Sequence, residues 1–219
     1  MNPKVKLLRA LLPAGALAAG GCSGLLHSDA VPEQTYVLRA PAVAAAAAAV
    51  AVPAAQPASL RVAHPITAPG LDVAHIMLVQ ADHRMNFYTG SRWPAPLSDV
   101  VEALAVQTLR AARDWQSVQD SASPFPSEYL LQIAVRRFEA DYTSGGAPQV
   151  HVILDCTFGR RAGEVVASFV AQASADAGGN RMSEVVAAFE QASDAALTSL
   201  AQQTAAAVRA TADHGASPH

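Results

Sequence analysis

Val150-His-Val-Ile-Leu-Asp-Cys-Thr-Phe158 is the stretch on which the fold turns. Val150, Val152, Leu154, Cys156 and Phe158 recur at every second position. That period places them on one face of a β-strand and their neighbours on the other. Turn formers bracket the run: Ser144-Gly145-Gly146 before it and Gly159-Arg-Arg-Ala-Gly163 after it. Beyond each turn lies another candidate strand. Leu131–Phe138 sets Leu131, Ile133 and Val135 on one face, and Glu164–Ala171 follows the second turn. Short connections between such runs predict an antiparallel meander. Within it Cys156 reads as a small buried side chain, with no suitable His or cationic partner evident nearby in sequence to activate it.

Working outward, Asp176–Asn180 is a Gly-rich break. After it Met182, Val185, Val186, Phe189, Ala196, Leu197, Leu200 and Val208 form a long amphipathic stripe. A helix to about Arg209 follows, with 210–219 as a frayed tail. Upstream, Leu97, Val100, Val101, Leu104, Thr108 and Leu109 predict a second helix over 98–112, with Ser98 and Asp99 at its start. Trp115–Val118 reads as a strand after it. Ala74–Gln80 and Arg84–Tyr88 read as a hairpin around Asp82-His83, Leu60–His64 as a short strand ended by Pro65, and Gln34–Arg39 as the first strand. Phe87 is assigned to the core. Residues 41–58 are almost all Ala, Val and Pro and have no polar face, so they are assigned to a mobile insert. The whole predicts a single α+β domain, 34–209, with a mostly antiparallel sheet and two main helices packed on one face.

The N-terminus has a different character. Lys4, Lys6 and Arg9 precede an apolar run, Ala10–Ala19, that is too short to span a bilayer, which takes about 20 residues. Residues 1–21 therefore read as a signal peptide. Leu17-Ala-Ala-Gly-Gly-Cys22 resembles a bacterial lipobox, in which the cysteine becomes the first mature residue and carries acyl chains. Gly21 and Ser23 fit that pattern, whereas Ala19 stands where a large aliphatic residue is usual. An ordinary signal peptide is the alternative. Ser23 in place of Asp points, by the same resemblance, to the outer membrane. Residues 22–33 read as a tether, which fully extended reaches at most roughly 40 Å from Cys22 to Gln34.

Composition narrows the function. Fifteen Lys and Arg stand against eighteen Asp and Glu, a net charge of −3, and the signal segment takes three of the cations with it. Phosphate-backbone binding needs clustered cations, so nucleic acid is excluded as a partner. No nucleophile elbow, P-loop, dinucleotide fingerprint or His-Glu-x-x-His helix occurs. His75 and His83 have no carboxylate or thiol at metal-ligand spacing. Asp82-His83 is ordinary turn composition, and Glu139 and Asp141 are expected to face solvent near a strand end. Arg136-Arg137 and Arg160-Arg161 read as solvated hairpin ends, with weak lipid-headgroup contact as the other reading. The sequence predicts no catalytic residue, no metal and no cofactor, and so no enzyme.

One segment carries a resemblance. His83-Arg-Met-Asn-Phe-Tyr-Thr-Gly-Ser-Arg-Trp-Pro-Ala-Pro-Leu97 is similar to the signature of the ABC-type transport auxiliary lipoproteins. Their pattern has a hairpin, an aromatic pair, then Arg-Trp, a small residue and Pro-Leu before a helix. Tyr36-Val-Leu38, Pro69-Gly-Leu-Asp72 and the strands Leu131–Phe138 and Val150–Phe158 agree with it. The resemblance spans roughly 34–208, and the Ala/Pro insert departs from it. It implies a lipoprotein anchored through Cys22 to the periplasmic face of the outer membrane. Its partner would be an MCE-domain protein of an ABC transporter that moves phospholipid or other hydrophobic molecules. It also admits a ring-like homo-oligomer. Tyr88, Arg92 and Trp93 become candidate partner-binding residues, or residues that fix the corner. A self-contained lipid carrier and a structural envelope lipoprotein are the competing readings.

Overall fold

The computed structural model describes residues 32–41 and 56–215. The signal segment, Cys22, most of the tether, most of the insert and the last four residues of the tail lie outside them. In chain order the elements are β1 (Gln34–Thr35), β2 (Gln56–Val62), β3 (Ile66–Thr67), β4 (His75–Val79), β5 (Met85–Arg92), α1 (Leu97–Ala112), β6 (Trp115–Gln119), β7 (Tyr129–Asp141), β8 (Gln149–Arg160), β9 (Val165–Asp176) and α2 (Met182–Gly215).

The expected meander is present. β8 pairs antiparallel with β7 along its whole length, from Tyr129↔Arg160 to Asp141↔Gln149, and with β9 on its other side. Val150, Val152, Leu154, Cys156 and Phe158 are all buried, which is the alternation the sequence carries. The other edge of β7 is shared. β2, β3 and β4 dock on it one after another, each parallel to it. β6 extends the sheet from β2, while β5 and β1 extend it from β4. The sheet is open and mostly antiparallel, with parallel seams on its N-terminal side.

Both helices cover one face. α1 turns Leu97, Val101, Leu104 and Leu109 inward, and α2 turns Val185, Phe189, Leu197 and Leu200 inward. Fully burying each such side chain stabilises the fold by about 1.5–3 kcal/mol. The start of α1 is capped from a distance. Pro96 offers no side-chain cap, and instead the Ser98 N–H and hydroxyl donate to Asp72 Oδ1 at 3.2 and 2.8 Å. Asp72 thus satisfies one of the four orphan donors of the first turn. At α2 the Glu184 carboxylate accepts from the Arg181 N–H at 3.0 Å.

Several boundaries differ from the sequence reading. β2 begins at Gln56, inside the stretch assigned to the insert, because pairing with β6 at Gln56↔Trp115 outweighs weak local propensity. β1 is two residues long, and the chain from Tyr36 onward leaves the ladder after donating to the Arg92 carbonyl at 2.8 Å. β5 continues through Tyr88 to Arg92, which shortens the corner to the residues around 93–96. α2 runs to Gly215, into the expected tail.

Two residue assignments are corrected. Phe87 is 45% exposed rather than core, because pairing with Met77 puts it on the face away from the helices. Its ring lies 4.5 Å from that of His75. Glu139 is buried rather than solvent-facing. A bulge between Val135 and Arg137 shifts the inward phase to Phe138 and Ala140, and Glu139 is left between flanking strands. Its carboxylate accepts from the Phe138 N–H at 2.7 Å and pairs with Arg137, which also meets Asp141 at 2.8 Å.

Candidate functional site

The hairpin β4–β5 and the corner after it hold the residues that the sequence singled out. His83 makes the tight turn with φ 64°, its N–H bonded to the Gln80 carbonyl at 2.8 Å. β5 then delivers Tyr88 and Arg92, and the chain turns at Trp93-Pro-Ala-Pro into α1.

Trp93 is buried, with 1% of its surface exposed. Its ring meets Phe138 edge-on at 6.1 Å and Phe189 edge-on at 5.3 Å, between the sheet and α2. The Trp93 backbone N–H donates to the Ala74 carbonyl at 2.7 Å, which closes the end of the hairpin. Arg92 is half-buried. Its Nη1 lies 3.1 Å from Glu33 Oε2, and its Nε donates to the Trp93 carbonyl at 3.4 Å. Arg92 therefore joins the corner to the segment leading in from the N-terminus.

Tyr88 stands on the opposite side of β5 from Phe87, and its hydroxyl donates to that of Tyr142 at 3.0 Å. Burial and this hydrogen bond raise the Tyr88 pKa well above the ordinary phenol range, so it stays protonated. Next to the tyrosine pair lies an open recess of about 540 Å³, lined by Leu78, Gln80, Ala81, Asp82, Arg84 and Tyr142. It is a shallow, mostly apolar surface with an Asp82–Arg84 ion pair of 2.6 Å at its rim.

Tyr88 does not line this recess but backs it, through its hydrogen bond to Tyr142, and Arg92 and Trp93 lie further along the same strand and corner. Cys22 lies outside the described residues. Leu78, Ala81 and Tyr142 were not singled out from the sequence, although Leu78 and Ala81 fall within the hairpin that was.

The interior bears on lipid carriage. Between α1, α2 and the sheet, Val101, Leu104, Phe138, Val152, Leu154, Ser193 and Leu197 line a cavity of only about 10 Å³. A site that encloses a drug-sized ligand takes about 300–1,000 Å³.

Other polar clusters hold the fold together. His64 Nδ1 lies 2.8 Å from Glu102 Oε2, while Glu102 Oε1 accepts from the Ser121 N–H at 2.7 Å. This ties the end of β2 and the loop after β6 to α1. Burial opposes ionisation of Glu102, but the Ser121 hydrogen bonds and His64 outweigh it and hold its pKa below the ordinary range. Cys156 is buried, and burial with Asp155 beside it pushes its pKa up to about 12. Among the described residues no group of three or more His, Cys, Asp or Glu is placed to hold a metal. Nor, among them, is any helix long and apolar enough to cross a membrane.

A family model described as "ABC-type transport auxiliary lipoprotein component" matches residues 36–205. Among solved structures, a Xanthomonas campestris protein of family DUF330 superposes with a TM-score of 0.67 at 25% identity, over 84% of this chain and 98% of its own. A crystal structure of an uncharacterized protein superposes with a TM-score of 0.57 at 15% identity, over 69% of this chain and 94% of its own. No curated protein matches the chain.

Proposed function

The chain belongs to the family of ABC-type transport auxiliary lipoprotein components, and from that premise we propose that it is a docking lipoprotein. In this reading Cys22 carries the lipid anchor at the periplasmic face of the outer membrane, residues 22–33 tether the domain, and 34–209 dock an MCE-domain protein of an ABC transporter. The cargo is phospholipid or another hydrophobic molecule. Acyl chains contribute about 0.8 kcal/mol per buried methylene, and two or more give lasting attachment.

The observation that carries docking over carriage is the filled interior. A domain whose helix–sheet cavity measures about 10 Å³ has no room there for an acyl chain, so it serves the pathway by its surface. The recess is the proposed contact, with Tyr142 and the rim pair Asp82–Arg84 facing the partner and Tyr88 holding Tyr142 from behind. Arg92 and Trp93 fix the corner that presents it. A homo-oligomer would repeat the recess around one conduit.

The test is mild crosslinking followed by isolation of the chain with its MCE partner. Leu78→Asp with Tyr142→Ala should lose the partner while the chain stays folded and membrane-bound. Capture at the parental level by that variant would remove the recess from the account. No MCE protein in any detergent would remove the docking reading itself. Separately, Cys22→Ser should move the chain out of the membrane fraction, and sedimentation with outer membranes all the same would rule out the lipid as its anchor.

A further inference from the structure

We propose that the end of the sheet where the β8–β9 hairpin turns is a second contact surface, one that rests on anionic lipid headgroups. Two connections meet at this end. The Arg161 N–H donates to the Glu128 carbonyl at 3.0 Å, which joins the 160–164 turn to the loop over 120–128. The Arg61 guanidinium holds that loop by the Phe125 carbonyl. The loop puts Phe125 into water, 69% exposed, and Val165, the first residue of β9 after the turn, is 63% exposed. Phe125 sits between Pro124 and Pro126, whose fixed φ restricts the tip before any contact is made.

Cations gather at the same end. α1 finishes there with Arg110 and Arg113, and α2 brings Arg209 within 3.9 Å of Asp114. With Arg61, Arg160 and Arg161 that makes six guanidiniums against Asp114, Asp120, Glu128, Glu164 and the Glu102 carboxylate that holds the Ser121 N–H. The chain as a whole has a net charge of −3, so the excess is local. At the far end the order reverses, with Asp82, Glu139, Asp141, Asp176 and Glu184 against Arg84, Arg137 and Arg181. The basic end also keeps charge to spare. Among the described residues, no side-chain partner engages Arg113 or Arg161, and Glu164 lies 3.9 Å from Arg160 and is itself exposed.

Guanidinium groups suit phosphate geometry, and an exposed aromatic among them suits the boundary between headgroups and acyl chains. Phe125 sits on a loop and Val165 directly after a turn, at the end of the sheet that can reach a flat surface first. A lipid surface therefore fits better than an acidic protein, because headgroup phosphates and acyl chains together match spare guanidiniums set around an exposed aromatic. The inference is independent of the transport role and of the recess at Tyr88.

The test uses the full chain reconstituted in phosphatidylcholine vesicles, with and without phosphatidylglycerol. A polarity-sensitive fluorophore is placed at Phe125→Cys and, in a second protein, at Ala147→Cys on the opposite end. The label at 125 should shift to the blue only with phosphatidylglycerol present, and salt should reverse the shift. The label at 147 should not respond. Arg161→Gln should weaken the contact about five-fold, the equivalent of about 1 kcal/mol per basic residue at an anionic surface. Arg113→Gln serves as an independent variant if the first lowers stability. Equal responses at both ends, a shift that ignores phosphatidylglycerol, or the same shift with inorganic phosphate alone would each overturn the proposal.

Discussion

Replacing Trp93 with Ala separates the two roles open to the corner. The side chain is 1% exposed and makes edge-on contacts to Phe138 and Phe189. Removing a buried Trp costs about 3–5 kcal/mol, including the cavity left behind. Each aromatic contact contributes about 0.5–1.5 kcal/mol beyond its area, so the upper part of that range is expected. Domains of ordinary stability have about 5–15 kcal/mol in total, which makes this a large fraction. At about 2–4 °C per kcal/mol for a domain of this size, the melting midpoint should fall by on the order of 10 °C. Urea unfolding followed by circular dichroism is the assay, because the chain has two tryptophans and fluorescence would change with the substitution itself. Trp93→Phe keeps a ring against Phe138 and Phe189, and should lose about 1–2 kcal/mol and still capture the partner. A loss below about 1 kcal/mol for Trp93→Ala would refute the packing account. So would a Trp93→Phe chain of parental stability that no longer captures the partner, since Trp93 would then act by contact.

Three further outcomes follow from the geometry. A Cβ on Gly159 would collide with the Glu164 carbonyl at the β8–β9 bulge, so Gly159→Ala should destabilise by about 1–3 kcal/mol, read as a lower urea midpoint. Gly178→Ala, where a Cβ meets open space, should not show this steric loss. Cys156 should resist thiol reagents in the native protein and react on unfolding, so rapid native labelling would contradict its burial and raised pKa. Acid should also destabilise the fold. In Glu102 and Asp141, hydrogen bonds and the neighbouring His64 and Arg137 outweigh burial and lower both pKa values. The folded state then binds fewer protons than the unfolded chain. The contribution is complete above the ordinary carboxylate range, about pH 4, and is lost as pH falls toward the lower folded values. Urea midpoints at descending pH measure the loss, and Glu102→Gln should reduce its slope.

The parts legible in the sequence were those whose pattern is local. Val150–Phe158 alternates without interruption, and the stripes of α1 and α2 keep their period, so burial followed the letters. Residues set by distant partners were not legible. Gln56–Ala58 read as low-complexity insert, yet β6 recruits the segment from nearly sixty positions away. Glu139 read as solvent-facing because a single bulge residue in β7 leaves no mark in the composition. Phe87 is as apolar as any core residue, and only hairpin register turns it outward. The signature around Arg92-Trp93 marked the right corner, while Asp72 had no stated role until the α1 cap showed why a carboxylate belongs there.

Because β2, β3 and β4 all borrow one edge of β7, the first half of the domain owns no complete sheet. A chain emerging N-terminus first from a translocation pore can close the β4–β5 hairpin and the β2–β6 pair, but has no strand to join them into one sheet until Tyr129–Asp141 has come through. β8 and β9 can zip onto β7 by local hairpins, whereas the upstream strands must wait for that ribbon and close long loops against it. Pulse-labelled hydrogen exchange would then find amides of β2 and β4 guarded no sooner than those of β7. Such an order of events would hold the polypeptide slack for as long as it is in transit.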